Sequence, residues 1–197
     1  VPNLKESIIH ESLRLFSQKG YMSTSISDIL EMTGASKGGF YNHFESKEHL
    51  FFEVLGEAQR IWRKRVLYGL DEVESPLERI KRLLLNYRDR YLKDGDNFPG
   101  GCVFITFSVE LDDQLPELCD AVNKGFSGLK RMLKRMLDEA MERGEIKTDL
   151  DTSALTEMLF ASMIGASVSF GVDKSATILD ASINALLAFL DSICVSG

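Results

Sequence analysis

The chain has 197 residues, 44% of them hydrophobic, with only four prolines and a formal charge of −7 at pH 7. That is enough apolar material for a sizeable core in one domain or two. Its three cysteines, an odd number without CxxC spacing, argue against a disulfide scaffold or a zinc site and for thiols kept reduced in cytosol. No signal-peptide pattern opens the chain. The longest uncharged run, Met158 to Val172, has 15 residues, short of the ~20 apolar residues of a membrane span. A cytoplasmic chain with no membrane segment is expected, with a buried helix over that run. His10, His43 and His49 lack the spacing of metal ligands, and no nucleophile–base pair or phosphate loop is present. No metal, cofactor or enzymatic activity is expected.

From Thr24 onward the sequence predicts short helices in quick succession. The hydroxyls of Thr24 and Ser25 are placed to cap a helix, and Asp28, three residues after Ser25, completes a capping-box pattern. Ile26, Ile29 and Leu30 give that helix an apolar side, and Gly34 stands where a positive φ permits a sharp reversal. Ser36 is a second N-cap. Phe40 and Phe44, four apart, form a buried stripe on a helix whose other side carries Lys37, Gly39, Asn42 and His43. Ser46 is a third N-cap, and Lys47 in the following turn opposes the helix dipole and asks for an external anion such as a phosphate. The first 50 residues hold five basic and six acidic side chains. Local geometry at three helix starts, with Lys37 and Lys47 beside two of them, must therefore carry any attraction to nucleic acid, and non-specific affinity should be modest and salt-sensitive. Helix-turn-helix geometry by itself is a moderately weak signal.

The third helix is expected to run to about residue 69, with Arg60, Arg63, Lys64 and Arg65 on a solvated side. Ser75, Pro76 and Glu78 supply an N-cap, a first-turn proline and a capping-box acid. Leu77, Ile80, Leu84, Tyr87 and Tyr91 then repeat at three and four residues. A loop spans Asp94 to Gly101, and GCVFITFSVELDD starts a short apolar helix whose β-branched content also suits a strand. A long helix from Pro116 to Arg143 places Leu129, Met132, Leu133, Met136, Leu137, Ala140 and Met141 on one stripe, ended by Gly144. Two last helices cover about Thr152 to Gly171 and Ser175 to Cys194. The first carries Ala161, Gly165 and Ser169 at four-residue intervals. Both are apolar nearly all round, which suits a partner chain completing a four-helix bundle or, alternatively, burial within one chain. Ile183, Leu186, Leu187 and Leu190 join Ala161, Gly165 and Ser169 as the candidate dimer surface. The fold expected is all-α, about nine helices: a three-helix helix-turn-helix domain over residues 1–50 and a helical domain over 51–197.

The string from Gly20 to Leu50, GYMSTSISDILEMTGASKGGFYNHFESKEHL, resembles the DNA-binding domain of the TetR family of bacterial transcriptional regulators. The matching residues are Gly20 and Tyr21, Thr24 and Ser25, Asp28 and Ile29, Gly34, Ser36 to Gly38, Tyr41, His43 and Phe44, Lys47 and Leu50. Leu30, Met32 and Thr33 depart from the small alanines common there, and Ser27 stands where an arginine or another long polar side chain is frequent. The family often has a basic arm before its first helix. This chain begins at Val1 without one, as a trimmed arm would leave it.

The resemblance implies a ligand-responsive repressor that binds a near-palindromic operator in double-stranded DNA as a homodimer. It implies that Thr24, Tyr41, His43 and Lys47 hold phosphates while Lys37, Gly39 and Asn42 approach base edges. Ser25, Ser27, Ser36 and Gly38 complete the DNA-binding set. A half-buried aromatic for Tyr41 and a solvated helix-end histidine for His43 are the plain alternatives. The family's last two helices form its dimer interface, and its C-terminal domain encloses a small-molecule effector. Candidate effector residues are Trp62, Phe104, Phe107, Phe126, Met132, Met136, Met158, Met163 and Phe170, because aromatics and methionines line adaptable apolar sites; the alternative is simple core. Cys102, in GGCVF at a helix start, resembles a Gly-Cys element in one branch of the family. It adds a thiol-reactive effector to the hydrophobic one, with an inert cysteine as the alternative. The competing function is a small-molecule-binding or interaction protein of the same fold without specific DNA binding.

Overall fold

The computed structural model describes residues 3–111 and 115–195. The expectation about an arm before the first helix, and the aspartates that end GCVFITFSVELDD, fall outside them. Among the described residues there are nine α-helices and no strand: α1 (Leu4–Lys19), α2 (Ile26–Thr33), α3 (Lys37–Tyr41), α4 (Lys47–Val66), α5 (Pro76–Asn86), α6 (Val103–Leu111), α7 (Pro116–Glu142), α8 (Thr152–Asp173) and α9 (Ala176–Ser192). The strand alternative for residues 101–113 is thereby removed for α6.

The residues fall into two compact units, one reaching to Ile61 and taking in Asp94–Lys124, the other formed by Trp62–Lys93 and the chain from Gly125 onward. A single cut after residue 50 therefore misplaces α6, which packs on α1. The anchor is aromatic: Phe107 of α6 lies 6.0 Å from the Phe16 ring and 4.7 Å from the Phe51 ring, centroid to centroid, and is wholly buried. Burying one such side chain contributes about 1.5–3 kcal/mol. Polar contacts join the same surfaces: the Arg14 guanidinium donates to the Asp96 carbonyl, and the Gly100 N–H donates to Ser17 Oγ at 3.3 Å.

Helix α1 begins at Asn3, whose side chain accepts from the Glu6 N–H while the Glu6 carboxylate takes the Asn3 N–H. This reciprocal cap satisfies two otherwise orphaned donors. Gly20 ends the helix at φ 82°, a conformation that costs any residue with a Cβ.

In the second unit, α5 buries Leu77, Ile80, Leu83 and Leu84 and packs against α9. Ser75 caps α5 as its spacing predicts, accepting from the Glu78 N–H at 3.2 Å. Glu78 does not close the box. The Ser75 hydroxyl instead donates to Glu145 at 2.7 Å, and the Glu78 carboxylate takes Lys81 at 2.6 Å. The helix continues past Asn86 as a π-helical turn, Tyr87–Leu92. There the predicted stripe survives as a stack of Tyr87 on Tyr91, 5.6 Å apart. Helix α8 packs on α9, and the two bury Leu159, Met163, Ala166 and Phe170 on the first and Leu179, Ile183, Leu186 and Leu190 on the second.

Helix α8 is not the buried helix expected from its uncharged run. It is 22 residues long and apolar enough, by length and composition, to cross a membrane, yet only a third of its most apolar window is buried. Met158, Ala161, Gly165, Val168, Ser169 and Val172 are exposed along its other side.

Candidate nucleic-acid interface

Three local caps build the helix-turn-helix. Ser25 accepts from the Asp28 N–H at 3.1 Å, and Asp28 returns the bond by accepting the Ser25 N–H at 2.7 Å. Those bonds from Ser25 hold the Asp28 carboxyl below its ordinary range. Gly34 closes α2 in the left-handed region, at φ 67° and ψ 14°. Ser36 then accepts from the Gly39 N–H at 3.0 Å, and Ser46 accepts from the His49 N–H at 3.1 Å at the head of α4. Each cap spans three residues, which is why the sequence alone reveals them.

Helix α3 is only five residues long. Phe40 and the post-helical Phe44 are buried and lie 5.3 Å apart, ring to ring, fixing one side. Lys37, Gly38, Tyr41, Asn42 and His43 are exposed on the other. Neither the Lys37 ammonium nor the Asn42 amide has a hydrogen-bond or ion-pair partner among the described residues. Gly38 has open space around it, so its smallness leaves room for an approaching surface. Gly39 differs: an added Cβ would come within 3.2 Å of the Leu4 side chain and 3.3 Å of Ser36 Oγ, so a larger residue there would ask these neighbours to give by a few tenths of an ångström. Ser25, Ser27 and Ser36 are also exposed, the first and third with their hydroxyls used as caps.

Two residues sit differently from the sequence expectation. Thr24 is wholly buried, and its hydroxyl donates to the Gly20 carbonyl at 2.6 Å. It holds the turn between α1 and α2 and has no side-chain surface to give a phosphate. Thr24→Val should therefore lower stability by about 1–3 kcal/mol, the cost of orphaning a buried acceptor, and thermal melting reads this directly. Weaker DNA binding with an unchanged melting temperature would return the hydroxyl to a direct role.

Lys47 does not point freely outward. Its ammonium lies 4.2 Å from the centroid of the Tyr21 ring, within cation–π range. Partial burial pulls its pKa down, against the pull of Glu48, Glu110 and Asp28. Burial, with Glu48 second, pushes the Tyr21 phenol up to about 12, so the ring stays neutral beneath the cation at physiological pH. The Tyr21 backbone N–H in turn donates to Glu110 of α6 at 2.7 Å. Sequence spacing could not disclose this link, because 89 positions separate the two residues.

The candidate effector residues divide between the units. Cys102 and Phe104 are half-buried and belong to the first unit with Phe107, whose ring is buried against Phe16 of α1 and Phe51 of α4. In the second unit Trp62, Phe126 and Met132 are half-buried and Met136, Met163 and Phe170 are buried, while Met158 is exposed on α8. Phe126 meets Phe160 edge to face at 5.5 Å. An open groove of about 860 Å³ lies elsewhere, between α1 and α4, lined by His10, His49, Phe52, Glu53 and neighbours. No group of three or more potential metal ligands occurs among the described residues.

The candidate dimer residues also separate. Ala161, Gly165 and Ser169 are exposed. Ile183, Leu186 and Leu190 are buried against the fold, with Leu187 half-buried. The outward side of α9 is made instead of Ile178, Ala181, Ala185 and Ala188, a spacing of small residues visible in the sequence but overshadowed by the larger leucines.

Residues 8–54 match the family model described as bacterial regulatory proteins, tetR family, and residues 76–186 match the tetracyclin repressor-like C-terminal domain. Over 177 residues the chain is 27% identical to the HTH-type transcriptional repressor DhaR of Mycobacterium sp. (strain GP1), covering 90% of this chain and 87% of that one. It is 27% identical to the HTH-type transcriptional repressor ComR of Escherichia coli (strain K12), over 84% of this chain and 78% of the other. Among solved structures, a TetR transcriptional regulator from Chloroflexus aurantiacus J-10-FL superposes with a TM-score of 0.89 at 29% identity, covering 97% of this chain and 96% of that one.

Proposed function

Because the chain belongs to the TetR family of bacterial transcriptional regulators, we propose that it is a repressor that binds a near-palindromic operator as a homodimer. Each protomer sets one α3 into a major-groove half-site, the two lying about 34 Å apart. A small effector ends repression by favouring the other of two spacings of those helices. The observation that carries this reading is the exposed side of α3, where Lys37 and Asn42 lack internal partners and Phe40 and Phe44 fix the opposite side.

In this reading Tyr41, His43 and Lys47 hold phosphates and Lys37 and Asn42 reach base edges. Ser25, Ser27, Ser36 and Gly38 flank them at the groove. Ser27 is short, so α2 adds little base contact. The test is a gel shift with DNA upstream of the chain's own gene and neighbouring promoters. A specific shift that survives moderate salt is expected. Lys37→Ala should weaken it by about 1–3 kcal/mol and relax the preference at one base position. No specific, salt-resistant shift with any of these fragments would overturn the reading in favour of a ligand-binding protein without operator recognition.

The dimer surface in this reading is the exposed side of α8, Ala161, Gly165 and Ser169, continued by the alanines of α9. Small side chains let helices of two protomers approach closely, as a four-helix bundle requires. An apolar effector is assigned to the second unit, beside half-buried Trp62, Phe126 and Met132. Cys102 supports a second effector class, since it is half-buried immediately before α6 and its carbonyl accepts the Ile105 N–H at 3.1 Å. Mass spectrometry after mild electrophile treatment separates the two classes. An unmodified Cys102 with unchanged operator binding leaves only the apolar ligand.

A further inference from the structure

Glu110 of α6 touches the turn between α1 and α2 from outside the helix-turn-helix. Its carboxylate accepts the Tyr21 N–H at 2.7 Å. It also fills the space beside Gly20, where an added Cβ would come within 1.7 Å of Oε1. Tyr21 is the residue on whose ring the Lys47 ammonium rests, and Glu110 contributes to the field at that ammonium. The Tyr21 ring is itself wedged edge-on between Phe16 at 5.5 Å and Phe51 at 5.2 Å. Both of those rings also meet Phe107, on the same helix as Glu110. Helix α6 thus holds this unit in two ways, by the apolar contacts of Phe107 with Phe16 of α1 and Phe51 of α4, and by a charge-assisted hydrogen bond from the α1–α2 turn to Glu110. The hydrogen bond is the directional member of the pair and depends on where α6 lies along the turn.

We propose that Glu110 is a positioning residue for operator binding: by holding the Tyr21 amide it fixes the turn that leads into α2 and seats Lys47 for its phosphate. It acts from α6, outside the helix-turn-helix, and makes no contact with DNA. The inference rests on the operator-binding reading given above. It adds that the grip of α6 on Tyr21, and with it operator affinity, can be released by one side chain.

The experiment compares the full-length wild-type chain with Glu110→Ala and Glu110→Gln. A glutamine retains an oxygen that accepts the Tyr21 N–H, whereas alanine has none. Amide exchange at Tyr21 by NMR without DNA should be at least about tenfold faster in E110A than in wild type and near wild type in E110Q. Operator affinity should fall about tenfold in E110A and be largely rescued in E110Q. The slope of log affinity against log salt should shrink by roughly 0.9 per protomer in E110A, as one phosphate contact is lost. A residue that merely stabilised the fold would leave that slope unchanged. If E110A fails to fold, Glu110→Asp retracts the carboxylate by one methylene and provides the same comparison. Unchanged Tyr21 exchange, wild-type operator affinity in E110A, or an unaltered salt slope would each overturn the proposal. Failure of the wild-type chain itself to bind an operator would instead defeat the underlying reading, and the proposal with it.

Discussion

Gly165→Arg is expected to turn the proposed dimer into monomers and to weaken operator binding by about 100-fold or more, while each chain keeps its fold. The glycine lies mid-way along α8, exposed, and a Cβ added there meets nothing within 4 Å of its own chain. Helix propensity does not oppose the change, since arginine is the better helix former. In the proposed dimer the damage falls on the neighbouring protomer: a guanidinium placed beside Ala161 and Ser169 fills the space that the small side chains leave for close approach, and its charge must be desolvated there. Once the protomers separate, each α3 binds a half-site alone and the gain from simultaneous engagement disappears, a factor of about 10²–10⁴. Sedimentation and gel shift on the same preparation read both effects. A Gly165→Arg chain that stays dimeric would exclude this side of α8 from the interface.

Gly100→Ala acts on the fold itself. A Cβ at this position would come within 1.6 Å of the Ser17 carbonyl oxygen and 2.7 Å of the Gln18 nitrogen. Both are backbone atoms in the last turn of α1, so no side-chain rotation relieves the clash. Either the loop before α6 lifts off or α1 shifts, and in both cases the Phe107 contacts and the Ser17 bond to the Gly100 N–H are disturbed. Overpacking of this kind costs about 3 kcal/mol or more, a fall in melting temperature of roughly 6–12 °C for a chain of this size. Operator affinity should fall as well, because the displaced helix carries Glu110. A melting temperature within about 1 °C of wild type would show that this loop does not lie against α1.

These two sites mark the difference between what sequence discloses and what it conceals. Ser25 with Asp28, Gly34, Ser36 and Ser46 each act over three or four residues, so their spacing predicted the helix starts and the turn. Helix α1 carries an equally local signal in the reciprocal cap of Asn3 and Glu6. The contacts of Gly100, Phe107 and Glu110 with α1 and its turn join residues more than 80 positions apart, and no periodicity encodes them. That is why a single domain boundary after residue 50 left α6 on the wrong side. Thr24 differs for a related reason: residue type indicates a capacity to bind phosphate, whereas burial and the bond to the Gly20 carbonyl decide whether the hydroxyl is available. On α9 the large residues drew attention as an interface, yet leucines seek the core first and leave the alanines outside.

The brevity of α3 has a consequence for how such a protein diversifies. Its frame depends on Phe40 and Phe44, while Lys37, Tyr41, Asn42 and His43 contribute little to the interior. In the proposed reading, changes at Lys37 and Asn42 alter which sequence is read and changes at Tyr41 and His43 alter how firmly the phosphates are held, all with little penalty to folding, so a duplicated copy of the gene could drift to a new promoter before its core has changed. The vocabulary of the reader is thus separable from its grammar, and on the proposed reading a redesign of operator preference should begin with Lys37 and Asn42.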